Sequence, residues 1–205
     1  MRYYIADLHF YHQNLLTKMD CRNFISVEEM NDYMIACWNK KVKKNDEVII
    51  LGDLSYGNGY QTNEILQQLN GKLYLIKGNH DDRFLKDKNF DSSRFLWIKD
   101  YAELNDNNRK IILCHYPICF YNGQYRLDKD GNAKTYMLYG HVHNSRDQQL
   151  LDIFNDITRN YQINPDDNKT IPCQMINCFC MFSNYQPLSL DEWIENNAQR
   201  LSKSK

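Results

Sequence analysis

Five short apolar runs, Tyr3 to Ala6, Val48 to Leu51, Leu73 to Ile76, Ile111 to Cys114 and Tyr136 to Tyr139, are each followed at once by residues that bind metals or turn sharply. The five following segments are Asp7-Leu8-His9, Gly52-Asp53, Gly78-Asn79-His80-Asp81, His115 and Gly140-His141-Val142-His143. Each run has strand length and is rich in β-branched or aromatic residues. In an open α/β sheet the carboxyl ends of parallel strands converge on one crevice, so residues far apart in sequence meet at one point. Positions 7, 53, 79, 115 and 141 are separated by 46, 26, 36 and 26 residues, each interval ample for a crossover connection. All six histidines, at 9, 12, 80, 115, 141 and 143, lie within or beside these strand ends.

Helical patterns lie between the runs. Ser26 and Glu29 form a capping box ahead of Val27, Met30, Met34, Cys37 and Trp38, which predicts a helix from Ser26 to Lys41. Others are predicted from Thr62 to Leu69, with Gly71 as a stop, around Leu150 to Ile157, and from Ser189, where Glu192 again completes a capping box. Strands alternating with helices imply an α/β fold with parallel pairs, and the stretch from Cys173 to Phe182 adds one or two late strands. Asp82 to Arg109, Tyr121 to Lys134 and the turn-rich Asn164-Pro165-Asp166-Asp167-Asn168 carry no clean pattern. No repeat or linker divides the chain, so residues 1–205 are expected to form one domain.

Composition narrows the partners. Twenty-five Lys and Arg balance 26 Asp and Glu, and 42% of residues are hydrophobic, which fits a folded core and not disorder. The near-zero net charge disfavours a large nucleic-acid footprint, which needs clustered cations. No apolar run is long enough to span a bilayer, and Asp7 interrupts the amino-terminal segment, so a cytoplasmic location without membrane attachment is expected. Seven cysteines, an odd number without zinc-ribbon spacing, read as reduced thiols. A homodimer is compatible with the chain, and nothing in it demands one.

Oxygen and imidazole ligands without thiolate suit Mn, Fe, Ni or Zn. Seven candidates exceed one tetrahedral ion and suit two ions sharing a carboxylate, the arrangement phosphatases and nucleases use for in-line displacement at phosphorus. The ordered set Asp7-x-His9, Gly52-Asp53, Gly78-Asn79-His80-Asp81, His115 and Gly140-His141-x-His143 resembles the signature of the calcineurin-like metallophosphoesterases. Cys114-His115-Tyr116-Pro117 and Asn184 to Glu192 extend the likeness to the small single-domain bacterial and phage members.

The resemblance implies a four-layer α-β-β-α sandwich, with two mixed β-sheets flanked by helices, the metallo-dependent phosphatase fold. It implies that Asp7, His9 and His143 hold one divalent ion, Asn79, His115 and His141 a second, and that Asp53 bridges them. The implied activity is dinuclear, metal-dependent hydrolysis of small phosphorylated substrates, phosphodiesters and nucleotides foremost, by a hydroxide between the ions. A nuclease acting on DNA or RNA is the alternative, and a non-catalytic metal-binding scaffold a more distant one.

His80 is free of ligand duty and is the expected general acid, with Asp81 orienting its ring. His12 either contacts substrate or orients a neighbouring ligand, and Asn79 also faces the substrate. Arg83, Arg126 and Lys134 are candidate phosphate contacts but read more simply as solvated charges. Tyr116, Phe120, Tyr121 and Tyr125 could wall a nucleobase. Similar members often carry Asn-Val-Gly where this chain has Asn177-Cys178-Phe179-Cys180, and Phe179 is expected to narrow or reshape the neighbouring surface.

Overall fold

The computed structural model describes residues 1–162, 166 and 170–203. The turn-rich run Asn164 to Asn168 therefore lies, apart from Asp166, outside the described residues. The elements run β1 (Arg2–Ile5), α1 (Val27–Lys41), β2 (Glu47–Ile50), α2 (Gly59–Gln68), β3 (Lys72–Ile76), α3 (Asp82–Leu85), β4 (Phe95–Lys99), β5 (Tyr101–Asp106), β6 (Arg109–Cys114), β7 (Thr135–Tyr139), α4 (Arg146–Asn160), β8 (Met175–Asn177) and α5 (Leu190–Lys203). All five apolar runs are strands.

The strands form two four-stranded sheets, ordered β1-β2-β3-β4 and β5-β6-β7-β8. Neighbours in the first sheet are all parallel, and an antiparallel bridge joins its edge, Tyr4 to Leu188. The second is mixed, because β5 runs antiparallel to β6 while β6, β7 and β8 are parallel. Side-chain alternation along each strand then builds the layers. Tyr3, Ile5, Val48, Ile50, Leu73 and Leu75 pack outward against Met30, Met34 and Trp38 of α1 and Ile65 and Leu66 of α2. The opposite face, with Tyr4, Ile49, Leu51 and Ile76, meets Ile111, Leu113, Tyr136, Leu138 and Ile176 of the second sheet. On the far side Ile112, Met137, Tyr139 and Met175 pack on Leu151 of α4. The result is the two-sheet, helix-flanked arrangement of the metallo-dependent phosphatase fold.

Local chemistry sets the element ends. Ser26 Oγ accepts from the Glu29 amide at 3.2 Å, and the Glu29 carboxylate accepts from Ile25 at 2.7 Å. α2 begins three residues before the expected Thr62, since Asn58 and Gln61 cap it reciprocally. Arg94 closes its other end, donating to the carbonyls of Leu66, Leu69 and Gly71 at 3.2, 2.7 and 2.9 Å. The patternless stretch from Asp82 to Arg109 contains α3, β4 and β5. β5 has one buried position, Ala102, and turns into β6 through Asn107 and Asn108, both at positive φ (48° and 63°), as a tight hairpin requires. The late strand stops at Asn177, and beyond it Cys178 still donates to Tyr139 of β7 while Cys178 and Cys180 exchange backbone hydrogen bonds with Ala6 beyond β1.

Candidate metal centre

The carboxyl ends of β1, β2 and β3 from one sheet and β6 and β7 from the other deliver the candidate ligands to one place. Two glycines make the approach feasible. At Gly52 (φ +89°) a Cβ would collide with His115 Nδ1 and the Gly78 backbone, and at Gly78 it would collide with the Asp53 carboxylate. Asp7, His9, Asp53, His141 and His143 also hold positive φ, at 57°, 52°, 53°, 72° and 49°. Five of the seven candidate ligands thus sit in a conformation that non-glycine residues rarely adopt, and such outliers cluster at functional sites.

His9 Nε2 lies 3.2 Å from His143 Nε2 and 3.5 Å from Asp53 Oδ2. Asp53 Oδ2 is also 3.5 Å from His115 Nε2, so this oxygen stands between the two imidazoles. Asn79 Oδ1 faces His115 Nε2 at 3.0 Å and His141 Nδ1 at 2.8 Å. Asp7 Oδ1 is 3.8 Å from His143 Nε2, and its carboxylate accepts from the His141 amide at 3.0 and 3.2 Å. Two groups of potential ligand atoms lie within 4.8 Å of one another, Asp7, His9 and His143, and Asp7, Asp53 and His115. Asp7 stands in both groups, as well as Asp53 facing both sides.

Tautomers follow from the partners. His115 Nδ1 lies 2.8 Å from the Leu51 carbonyl, which only accepts, so Nδ1 keeps its proton and Nε2 is the nitrogen that a metal ion would take in place of a proton. His143 Nδ1 likewise donates to Asp20 Oδ1 at 2.7 Å, freeing its Nε2. Asp20 is in turn held by Arg22, at 2.9 and 3.0 Å. Arg22 is fully buried and donates to the backbone carbonyls of Leu8 (2.6 Å) and Asp7 (2.8 Å). A carboxylate behind a ligating imidazole fixes its ring and tautomer. Sequence reasoning missed Asp20 and Arg22. Their only signal was their closeness in the loop after the first ligand pair.

The donor set fits divalent cations. Asp7 and Asp53 are 0% and 2% exposed, and among the described residues no Lys or Arg side chain meets either carboxylate. Burial pushes the Asp7 acid up. Burial acts likewise on Asp53, but the hydrogen bond and charge of His115 outweigh it and hold that acid below the usual carboxylate range. His115 is pushed up to about 9, desolvation being outweighed by Asp53 and Asp7. His115 alone offsets only part of two buried carboxylates, which are costly, and divalent ions between them and the imidazoles would remove the rest of that cost.

Asp81 corrects an expectation. Its Oδ2 accepts from the Gly78 and Asp53 amides at 2.8 and 3.0 Å, and its Oδ1 from Leu54 at 2.8 Å. The carboxylate is therefore a backbone clamp joining the loops after β2 and β3, and does not orient the His80 ring. Burial and the Asp53 charge push it up to about 7. His80 sits at the rim, its amide donating to Asp53 Oδ1 at 2.9 Å and its ring 5.4 Å from that of His9. His12 stacks on Tyr56, centroids 4.1 Å apart and planes 8° from parallel, 5.2 Å from the His9 ring.

Phe179 also departs from expectation. It is 1% exposed and packs behind the His143 ring, centroids 4.7 Å apart, so it supports a ligand from the core side and leaves the open face unobstructed. Of the three candidate cations only Arg83 lies near the site. Arg126 and Lys134 line a cavity of about 740 Å³ with Glu103, Lys110 and Thr135, at the amino-terminal ends of β6 and β7 and so away from the metal centre. Tyr116 packs on His141 at 4.5 Å, whereas Phe120 contacts Phe154 of α4 and Tyr121 is buried with its hydroxyl on Gln174. The four aromatic residues do not form one wall.

The family model for calcineurin-like phosphoesterases matches residues 3–196. The chain belongs to that family. Like other calcineurin-like phosphoesterases it carries clustered candidate ligands for divalent metal. It is 32% identical over 192 residues to an uncharacterized protein of Methanocaldococcus jannaschii, MJ1445, covering 92% of this chain and 86% of that protein. It is 36% identical over 83 residues to the Gene 66 protein of Mycobacterium phage L5, or 38% of this chain and 39% of that protein. A protein of unknown function from Aquifex aeolicus shares the fold, with TM-score 0.60 and 23% identity over 94% of this chain and 96% of that one. No helix among the described residues is long and apolar enough to cross a membrane.

Proposed function

We propose that this calcineurin-like phosphoesterase hydrolyses small phosphorylated substrates, phosphodiesters and nucleotides foremost, at a dinuclear centre. Asp7, His9 and His143 would hold one ion, Asn79, His115 and His141 the other, and Asp53 would serve both. The observation that carries the reading is the pair of buried carboxylates, Asp7 and Asp53, set among imidazoles, with no Lys or Arg side chain meeting either among the described residues. Divalent ions bound there would supply hydroxide at neutral pH and screen the phosphoryl oxygens. The chain's own residues supply the rest. The Asp81 clamp fixes the two loops that carry Asp53 and Asn79, and Asp20 and Leu51 fix the rings of His143 and His115. His80, at the rim and without a side-chain hydrogen bond among the described residues, would protonate the departing oxygen.

The test is hydrolysis of paired chromogenic phosphomonoesters and phosphodiesters by metal-stripped protein titrated with Mn, Ni, Zn and Mg. Metal-dependent turnover that Asp53→Asn abolishes is expected. Turnover that survives in Asp53→Asn would sink the proposal, as would a wild type that binds no metal.

A further inference from the structure

Beside the metal centre four polar side chains share a ledge and make no hydrogen bond or ion pair with the described protein. They are His12, Tyr56, His80 and Arg83. His12 lies flat on Tyr56 at 4.1 Å, and the Arg83 guanidinium carbon stands 4.5 Å from the centre of the same ring. His80 meets the edge of Tyr56 at 5.7 Å and lies 6.2 Å from His12. Both histidines border the ring of His9, at 5.2 and 5.4 Å. The ledge therefore leads from a candidate metal ligand, through the candidate proton donor, to an unpaired cation.

Nearby acids do not neutralise Arg83. Asp82 is engaged by Lys86 at 2.6 Å. Asp81 is buried on three amides, and Asp87 caps Gly59 and Asn89 through their amides, at 2.9 Å each. Tyr56 holds the guanidinium by its ring face, a contact that uses none of the five N–H donors and leaves them available to an oxyanion such as phosphate. Tyr56 also has both His12 and Arg83 close against its ring, so the ledge is poorly suited to stacking a nucleobase there. Its chemistry is that of an anion seat.

We propose that Arg83, set on Tyr56, binds a second phosphate carried by the leaving group, making the substrate a phosphoester whose departing alcohol is itself phosphorylated. This rests on the phosphoesterase reading above. If His80 protonates the departing oxygen, the atoms beyond that oxygen lie on the His80 side of the centre, where Tyr56 and Arg83 stand. Water attacks phosphorus, the bond from phosphorus to the departing oxygen breaks, and the His80 proton goes to that oxygen. The phosphate on Arg83 takes no part in bond making and supplies affinity.

Two dinucleoside monophosphates, identical except for a terminal phosphate on the leaving nucleoside, test this directly. The wild type should prefer the phosphorylated one, and Arg83→Ala should cut that preference roughly 10-fold through KM, as expected for one exposed charge-assisted contact. Arg83→Lys should restore part of it. A second readout needs no turnover, namely inorganic pyrophosphate titrated into metal-free protein and followed by the imidazole resonances of His12 and His80. Binding there should weaken about 10-fold in Arg83→Ala. A wild type indifferent to the terminal phosphate, or a preference unchanged in Arg83→Ala, overturns the subsite. If neither ester is hydrolysed with any metal, the phosphoesterase reading fails, and the pyrophosphate titration alone decides the anion seat.

Discussion

Replacing Asp81 by Asn separates a clamp from an acid-orienting residue. In the wild type one carboxylate oxygen accepts from Gly78 and Asp53 and the other from Leu54. An amide keeps its oxygen where two of the three bonds are made, and its NH2 group must then face the Leu54 N–H, donor against donor. Asp81 and Leu54 are both fully buried, so neither donor reaches water. Each buried orphan costs about 1–3 kcal/mol, for a sum of about 2–6 kcal/mol. For a chain of this size each kcal/mol lowers Tm by about 2–4 °C, so a drop of roughly 4–24 °C is expected. Thermal unfolding of metal-free wild type and Asp81→Asn at pH 8 is the assay, above the value of about 7 to which burial and Asp53 push this acid, so that the reference carries the ionised acceptor. Turnover should fall on esters with good and poor leaving groups alike, because the loops bearing Asp53 and Asn79 lose their tie. A Tm within about 2 °C of wild type, with activity lost only on poor leaving groups, would refute the clamp and return Asp81 to the service of His80.

Other expectations rest on separate features. Saturating Mn at about 100 times its Kd should stabilise the wild type by about 2.7 kcal/mol, and Asp53→Asn should lose most of that gain in a thermal melt. Asp20→Asn should weaken metal binding by about 10- to 100-fold, read by calorimetry, through the ring of His143. Phe179→Ala should cost about 3–5 kcal/mol in urea unfolding, as a buried aromatic ring does, and should not improve turnover of bulky esters, since the ring lies behind His143. Glu103 is pulled down to about 2 by its bonds to Lys110 and Tyr101, despite some desolvation. A depressed acid stabilises fully above its ordinary range and loses that contribution as pH falls. The urea midpoints of wild type and Glu103→Gln should therefore differ most above about pH 5 and converge toward pH 2.

How much of this was legible in advance depended on the kind of interaction. The strand ends and their ligands were readable because short continuous apolar runs and chemically distinctive termini are both local signals. The helices capped at Ser26 and Ser189 were readable for the same reason. β4 and β5 were not, because an edge strand with one buried position carries no clear alternation. The start of α2 was hidden by Gly57 and Gly59 around an otherwise plain cap at Asn58. Within the site, a carboxylate engaged with three amides looks, in sequence, identical to one aimed at a neighbouring ring. Only the meeting of the loops after β2 and β3 distinguishes them for Asp81. Asp20, Arg22 and Tyr56 were out of reach because their roles arise from contacts across the fold.

The left-handed backbone at Asp7, His9, Asp53, His141 and His143 has a consequence for how such a chain can be improved. Each of these positions would be more comfortable as glycine, and glycine keeps no ligand atom. Selection for heat resistance alone therefore pulls directly against metal binding at five places, as expected where stability and activity trade off. Gains in robustness must come from elsewhere in the chain, and a variant that becomes hardier through these five positions has exchanged its chemistry for comfort.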